Sequence, residues 1–137
     1  MPFFNDILSD LKSDGHIISS DRYQLNSRFS HFIKDMYSID TISDWKIEYK
    51  FRHSLLSASS TEIGVIQFDI GAPHFRNRED GVPISRVIEK IKSKIRNRYR
   101  PKISHYVSDI IIHINDNYEH TKNLSHILTT YEEFRNK

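Results

Sequence analysis

Apolar side chains recur along this chain at two spacings, which predict where it forms helices and where it forms strands. A spacing of three and four residues gives a helix one buried face, and four segments show this spacing. They cover residues 3–12, 21–36, 84–99 and 116–134. Asp21 and Gln24 have the spacing of a capping box, and Pro83 fits the first turn of the third helix.

Alternation of apolar and polar residues predicts two strands, at 45–52 and 62–70. A serine-rich connector separates them, so we expect an antiparallel hairpin. The run 107–114 is nearly continuous in apolar character, which predicts a central strand that is covered on both faces. Residues 71–81 are polar and bounded by glycine, and we interpret them as a long loop.

These elements follow one another in the order ααββαβα. The order predicts an α/β or α+β sandwich of two or three layers, built as a single domain over residues 1–137. The helix at 84–99 would join the strands at 62–70 and 107–114 by a right-handed parallel crossover. Both strands would then end at one edge of the sheet, where ligands tend to bind.

The composition excludes several kinds of chemistry. The chain has no cysteine, which rules out disulfides, thiolate metal sites and a cysteine nucleophile. Its four glycines are too scattered for a phosphate-binding P-loop, a dinucleotide fingerprint or a nucleophile elbow. The N-terminal segment resembles neither a signal peptide nor a membrane span, so we expect a cytoplasmic protein without a membrane partner.

Positive charge is concentrated in one predicted helix. Residues 86–102 contain eight basic residues and one acidic residue, whereas the rest of the chain contains twelve basic and seventeen acidic residues. Four of the cations recur every four residues, which predicts one stripe away from the isoleucine face: Arg86, Lys90, Lys94 and Arg98. Such a row can follow phosphates, and Tyr99 and Tyr106 could stack on exposed bases. A solvated helix face is the open alternative.

Histidines and aspartates form a second candidate site. His113, Asp116 and His120 surround the start of the last predicted helix, and Asp69 and His74 belong to the same predicted sheet edge. Imidazole and carboxylate groups can bind a divalent metal or act as general acid and base on a phosphate ester. They can equally be core and capping residues, because Asp116 is a suitable helix cap.

The loop before the basic helix carries Arg76 and Arg78, which are placed to bind an anion near the helix N-terminus. A flexible, charged surface loop without a ligand is the open alternative. Three functions are compatible with these patterns. The first is a binding protein that engages a polyanion, most simply nucleic acid, through residues 86–102. The alternatives are a phosphoester hydrolase or phosphoryl-transfer enzyme, and an inhibitor-type or immunity-type domain with an acidic protein partner. The sequence assigns no cofactor, metal or oligomeric state.

Overall fold

A computed structural model describes residues 3–39, 43–58, 60–72, 74–103, 112–115 and 117–136. The five helices of these segments are α1 (Phe4–Lys12), α2 (Phe29–Tyr37), α3 (Asp44–Ser57), α4 (Arg86–Tyr99) and α5 (Tyr118–Thr129). The four strands are β1 (His16–Gln24), β2 (Glu62–Asp69), β3 (Phe75–Asn77) and β4 (Pro83–Ser85). Short 3₁₀ turns are Asn26–Arg28, Arg100–Lys102 and Glu132–Phe134. The architecture is α+β, which is one of the two fold classes that the sequence pattern predicted.

The strands form two antiparallel pairs. β1 pairs with β2 from His16 opposite Asp69 to Gln24 opposite Glu62, and the short strands β3 and β4 form a second hairpin. In the described part of the chain every ladder is antiparallel, and residues 112–114 do not form a strand. The predicted parallel crossover is therefore not confirmed, and residues 107–111 of its expected second strand lie outside the described residues.

The β1–β2 ribbon carries an apolar cluster on each face. Ile66 and Phe68 pack against one cluster, whereas Ile63 and Val65 pack against the other, because successive side chains of a strand point to opposite faces. Helices α1 and α4 supply the buried members of the first cluster: Ile7, Leu11, Ile88, Ile91, Ile95 and Tyr99. The second cluster contains Tyr23, Leu25, Phe32, Ile33, Tyr37 and Tyr131, with side chains of α3 and α5 packed around them.

The helix predicted from residue 21 onward is wrong in its first part. Asp21 and Gln24 belong to strand β1, where they pair with Val65 and Glu62 rather than cap a helix. The chain leaves the strand through Asn26, whose φ of 50° lies in the left-handed region that asparagine tolerates better than most residues. The apolar stripe of the true helix α2 was predicted, but a local capping pattern could not reveal the strand before it.

The predicted strand at 45–52 is a helix, α3. Its apolar residues fit both periods, because Ile47 and Phe51 are four residues apart. This spacing places them on one face of a strand and also on one face of a helix. In the structure both residues pack against the second cluster. Ser54 continues this inner face, and its buried Oγ lies 3.1 Å from the hydroxyl oxygen of Tyr37. Eight alternating residues were too few to distinguish the two structures.

The predicted loop at 71–81 contains strand β3 and a tight turn. The Arg78 N–H donates to the Val82 carbonyl oxygen at 2.9 Å, and Gly81 has a φ of 84°, which favours glycine. Pro83 lies in β4 and not in a helix. Helix α4 begins one turn later, because the Ser85 hydroxyl accepts a hydrogen bond from the Ile88 N–H at 3.2 Å.

Candidate polyanion-binding surface

Helix α4 places one face in the core and the opposite face in solvent. Ile88, Ile91 and Ile95 are buried at helical spacing against α1 and the ribbon. The residues about half a turn away are exposed: Arg86, Lys90, Ser93 and Asn97. The sequence pattern alone specifies this orientation, because only one face of the helix is apolar.

The four cations that were predicted to form one stripe have two different environments. A step of four residues exceeds a helical turn, so the row rotates by about 40° at each step. Arg86 and Lys90 therefore point outward, whereas Lys94 and Arg98 lie on the flank that faces α1. Their common role in anion binding stays a prediction, but the surroundings that the structure gives them differ.

Lys94 and Arg98 form ion pairs with carboxylates of the first helix and of the turn after it. Lys94 Nζ donates to Asp14, and an Arg98 guanidinium N–H donates to Asp10. The Tyr99 hydroxyl donates to the same Asp10 carboxylate at 3.1 Å. Burial raises the pKa of Tyr99, and the hydrogen bond to Asp10 and its charge raise it further. This end of α4 is thus bound to α1.

The expectation that Tyr99 stacks on bases is wrong. Its side chain is fully buried in the first cluster, and its ring centroid lies 5.0 Å from that of Phe3. Tyr106 lies outside the described residues.

The other end of α4 lines an open depression of about 530 Å³. Its walls are formed by Arg76, Arg86, Glu89, Lys90 and Ser93. Arg76 reaches across from β3 and donates two hydrogen bonds to Glu89, at 3.2 and 2.6 Å, which raise the pKa of the Arg76 guanidinium above its ordinary value. Neither Arg86 nor Lys90 has a carboxylate partner within the described segments.

Arg78 belongs to the β3–β4 turn rather than to this depression. Its guanidinium donates to the Asp80 carboxylate at 3.1 and 2.6 Å. The Asp80 carboxylate also accepts a hydrogen bond from the Val82 N–H at 3.2 Å. Arg78, followed by this N–H, lowers the pKa of Asp80. The pair closes the turn, and anion binding by Arg78 stays a prediction.

The predicted histidine–aspartate site is described in part. The His113 ring packs edge-on against Tyr37 at 6.0 Å, and His120 is buried with 6% exposure. Asn117 caps α5, since its side-chain oxygen accepts a hydrogen bond from the His120 N–H at 3.0 Å. Asp116 itself lies outside the described residues.

The two other members of this predicted site, Asp69 and His74, each accept a hydrogen bond from a backbone N–H. The Asp69 carboxylate accepts from the Gly71 N–H at 2.8 Å, and the His74 carbonyl accepts from the Arg86 N–H at 3.1 Å. Among the residues that can be described, no group of three or more histidine, aspartate or glutamate side chains is arranged to hold a metal ion. A catalytic or metal-binding role for His113, Asp116 and His120 stays a prediction.

The sequence analysis did not identify the acidic partners of α4, although the spacing of aspartates near the N-terminus indicates them. Asp6, Asp10 and Asp14 recur every four residues, as the cations of α4 do. Two amphipathic helices with opposite charge on their polar flanks are suited to pack side by side. Recognising that complementarity would have assigned Lys94 and Arg98 to an internal contact.

Comparison with protein-family models, with curated protein sequences and with solved structures finds no match for this chain. Across the segments described above, no helix is both long enough and apolar enough to cross a membrane.

Proposed function

We propose that this protein binds a polyanion, nucleic acid in the first place, through the N-terminal half of α4. The observation that carries the proposal is the pair Arg86 and Lys90. Both side chains line the open depression, and neither is neutralised by a carboxylate of the described chain. A phosphate backbone would supply a counterion to each of them.

The shape of the surface favours contact with a backbone rather than with a small ligand. The depression is open to solvent, and Arg86 and Lys90 lie on the exposed face of α4, so a chain of phosphates can pass over them. Contacts of this kind position nucleic acid without reading its bases. The proposal therefore predicts similar affinity for different sequences.

Glu89 limits how strongly the surface attracts phosphate. Its carboxylate lies within the depression and is paired with Arg76. The Arg76 guanidinium is therefore largely neutralised, and Arg86 and Lys90 supply the unbalanced charge. Each phosphate contact with duplex DNA contributes about −0.9 to the slope of log affinity against log salt, so two contacts predict a slope of about −2.

A salt titration tests this proposal. Binding of generic duplex DNA and of single-stranded RNA is measured by fluorescence anisotropy between about 50 and 200 mM salt. We expect wild type to bind duplex DNA with the slope given above, and to bind single-stranded RNA with a shallower slope of about −1.4, from about −0.7 per contact. Arg86→Ala/Lys90→Ala should lose most of that affinity and of its salt dependence. The matched control is Lys46→Ala/Lys122→Ala, which removes the same charge from α3 and α5 and should bind as wild type does.

Two outcomes would contradict the proposal. One is the absence of wild-type binding at about 50 mM salt, where phosphate contacts are strong. The other is equal weakening by the control, which would show that net charge and not this surface is responsible. A stoichiometric complex with an acidic protein, without nucleic-acid binding, would favour the protein-partner alternative. A cytoplasmic location belongs to the same proposal, and cell fractionation tests it.

A further inference from the structure

Helix α3 exposes a row of large apolar side chains on its outer face. Trp45 is 66% exposed, Tyr49 48% and Leu56 59%. These positions differ by four and seven residues, so they lie on one stripe of the helix. A stripe of this composition on a surface is typical of an interaction site.

The stripe is not needed to attach α3 to its own chain. The inner face already packs Ile47 and Phe51 against the second cluster, and Ser54 contacts the Tyr37 hydroxyl there. Helix α3 is thus apolar on two opposite sides, and one side is sufficient for folding. The outer side is available for another molecule.

The charges on the stripe indicate which molecule. Glu48 and Arg52 lie between its apolar ends, with a distance of 3.9 Å between Glu48 Oε1 and an Arg52 guanidinium nitrogen. If a second copy of α3 packs antiparallel about a two-fold axis, Trp45 meets Leu56 of the other copy. In the same arrangement, Glu48 meets Arg52 of the other copy, and this contact occurs twice. The stripe is therefore complementary to itself.

We propose that a second copy of this chain docks on the outer face of α3. An interface made by the same patch on both subunits needs this kind of self-complementarity, and closes as a symmetric dimer. The proposal is independent of the function proposed for α4.

The expected dimer is weak. Helix α3 has 14 residues and is about 21 Å long. The outer face of one helix of this length buries less than the area of about 800 Å² per partner that a standard interface buries. We therefore expect a monomer–dimer equilibrium in the micromolar range. Trp45 should be its main anchor, because buried tryptophans dominate interfaces.

Sedimentation velocity over a concentration series tests the proposal on the full chain. Wild type should shift from monomer to dimer as concentration rises, and Trp45→Ala should weaken dimerisation at least about tenfold. The control is Phe75→Ala, which removes an aromatic side chain of 53% exposure from the hairpin beside α4 and should leave dimerisation unchanged. Circular dichroism would show that both variants remain folded.

A mixing experiment tests the symmetric geometry. Glu48→Arg alone and Arg52→Glu alone each place like charges opposite one another in a homodimer, so each variant should dimerise more weakly than wild type. An equimolar mixture should recover association, because opposite charges then meet at both contacts. A purely structural effect within one helix would not be rescued by mixing. A monomeric wild type at every concentration, or a dimer unaffected by Trp45→Ala, would overturn the proposal.

Discussion

The two ends of α4 carry the same kinds of cation but use them differently. At the N-terminal end, Arg86 and Lys90 point into solvent beside an open depression. At the C-terminal end, Lys94 and Arg98 contact the carboxylates of Asp14 and Asp10. The difference arises because a row at four-residue spacing drifts around the helix until it meets α1. Charge counted along a sequence is therefore larger than charge available to a ligand.

The two ends also differ in what lies beneath them. Tyr99, at the C-terminal end, is fully buried and donates to Asp10. At the N-terminal end, within the described part of the chain, the outward side chains of Arg86 and Lys90 contact no carboxylate of another helix. We therefore expect variants at the C-terminal end to change stability, and variants at the N-terminal end to change binding.

The largest effect should follow from Tyr99→Ala. Removing a fully buried aromatic side chain leaves a cavity and costs about 3–5 kcal/mol in the free energy of unfolding. Lys90→Ala, at an exposed position, should change it by less than about 0.5 kcal/mol. Urea denaturation followed by circular dichroism measures both values. Similar losses for the two variants would contradict the assignment of stability to one end.

How much of this could be read from the sequence depended on the length and uniqueness of each pattern. Helix α4 and strand β2 were predicted because Ile88, Ile91 and Ile95 fit one helical face over 14 residues, and Ile66 and Phe68 alternate clearly. Helix α3 was predicted as a strand because its apolar positions fit both periods. Its packing partners, which decide between them, are distant in sequence.

The sequence predicted only part of the candidate surface, because a local pattern does not show contacts between residues that are distant in the chain. The cations of α4 are a local feature and were identified by spacing. Their carboxylate partners, in α1 and in the turn after it, lie 80 and 88 residues away along the chain, and no local pattern shows which cations they neutralise. Likewise, the burial of Tyr99 depends on α1, so its proposed stacking role had to be corrected.

A double variant should reduce the difference between the two ends. Asp10→Asn/Asp14→Asn removes the carboxylate charges that hold Lys94 and Arg98, and leaves both cations able to meet phosphates. We expect the slope of log affinity against log salt to steepen by up to about 2. The free energy of unfolding should fall by about 1–2 kcal/mol, because hydrogen bonds to a charged group are lost.

The salt titration described for wild type measures this change, and urea denaturation measures the stability. Glu132→Gln/Glu133→Gln, which removes two acidic charges from the turn after α5, is the control. An unchanged slope in Asp10→Asn/Asp14→Asn would show that Lys94 and Arg98 do not reach nucleic acid even when no carboxylate pairs with them.

The hydrogen bond between Tyr99 and Asp10 predicts a specific dependence on pH. The pKa of Tyr99 is raised in the folded protein, chiefly by burial and then by Asp10, above an unfolded value of about 10. Its contribution to stability is therefore complete below about pH 10 and is lost as pH rises through the folded pKa. Tyr99→Phe should cost about 1 kcal/mol at neutral pH.

The difference in the free energy of unfolding between wild type and Tyr99→Phe should narrow at alkaline pH, since phenylalanine cannot ionise. Urea denaturation at neutral pH and above pH 10 measures it. Tyr118→Phe is the matched control, because it removes the hydroxyl group of a tyrosine that is 77% exposed. A difference that stays constant with pH would mean that Tyr99 ionises as readily in the folded chain as in the unfolded one.

The smallest effect separates two lysines that are one turn apart. Lys90→Ala should flatten the salt slope of nucleic-acid binding by about one unit, because this side chain has no carboxylate partner in the described structure. Lys94→Ala should flatten it by less than about half a unit. To reach a phosphate, Lys94 must give up its ion pair with Asp14, which offsets much of the gain. Anisotropy titrations of both variants under identical conditions measure the two slopes. Equal flattening would show that nucleic acid displaces Asp14 freely, and that the binding surface extends along the whole of α4.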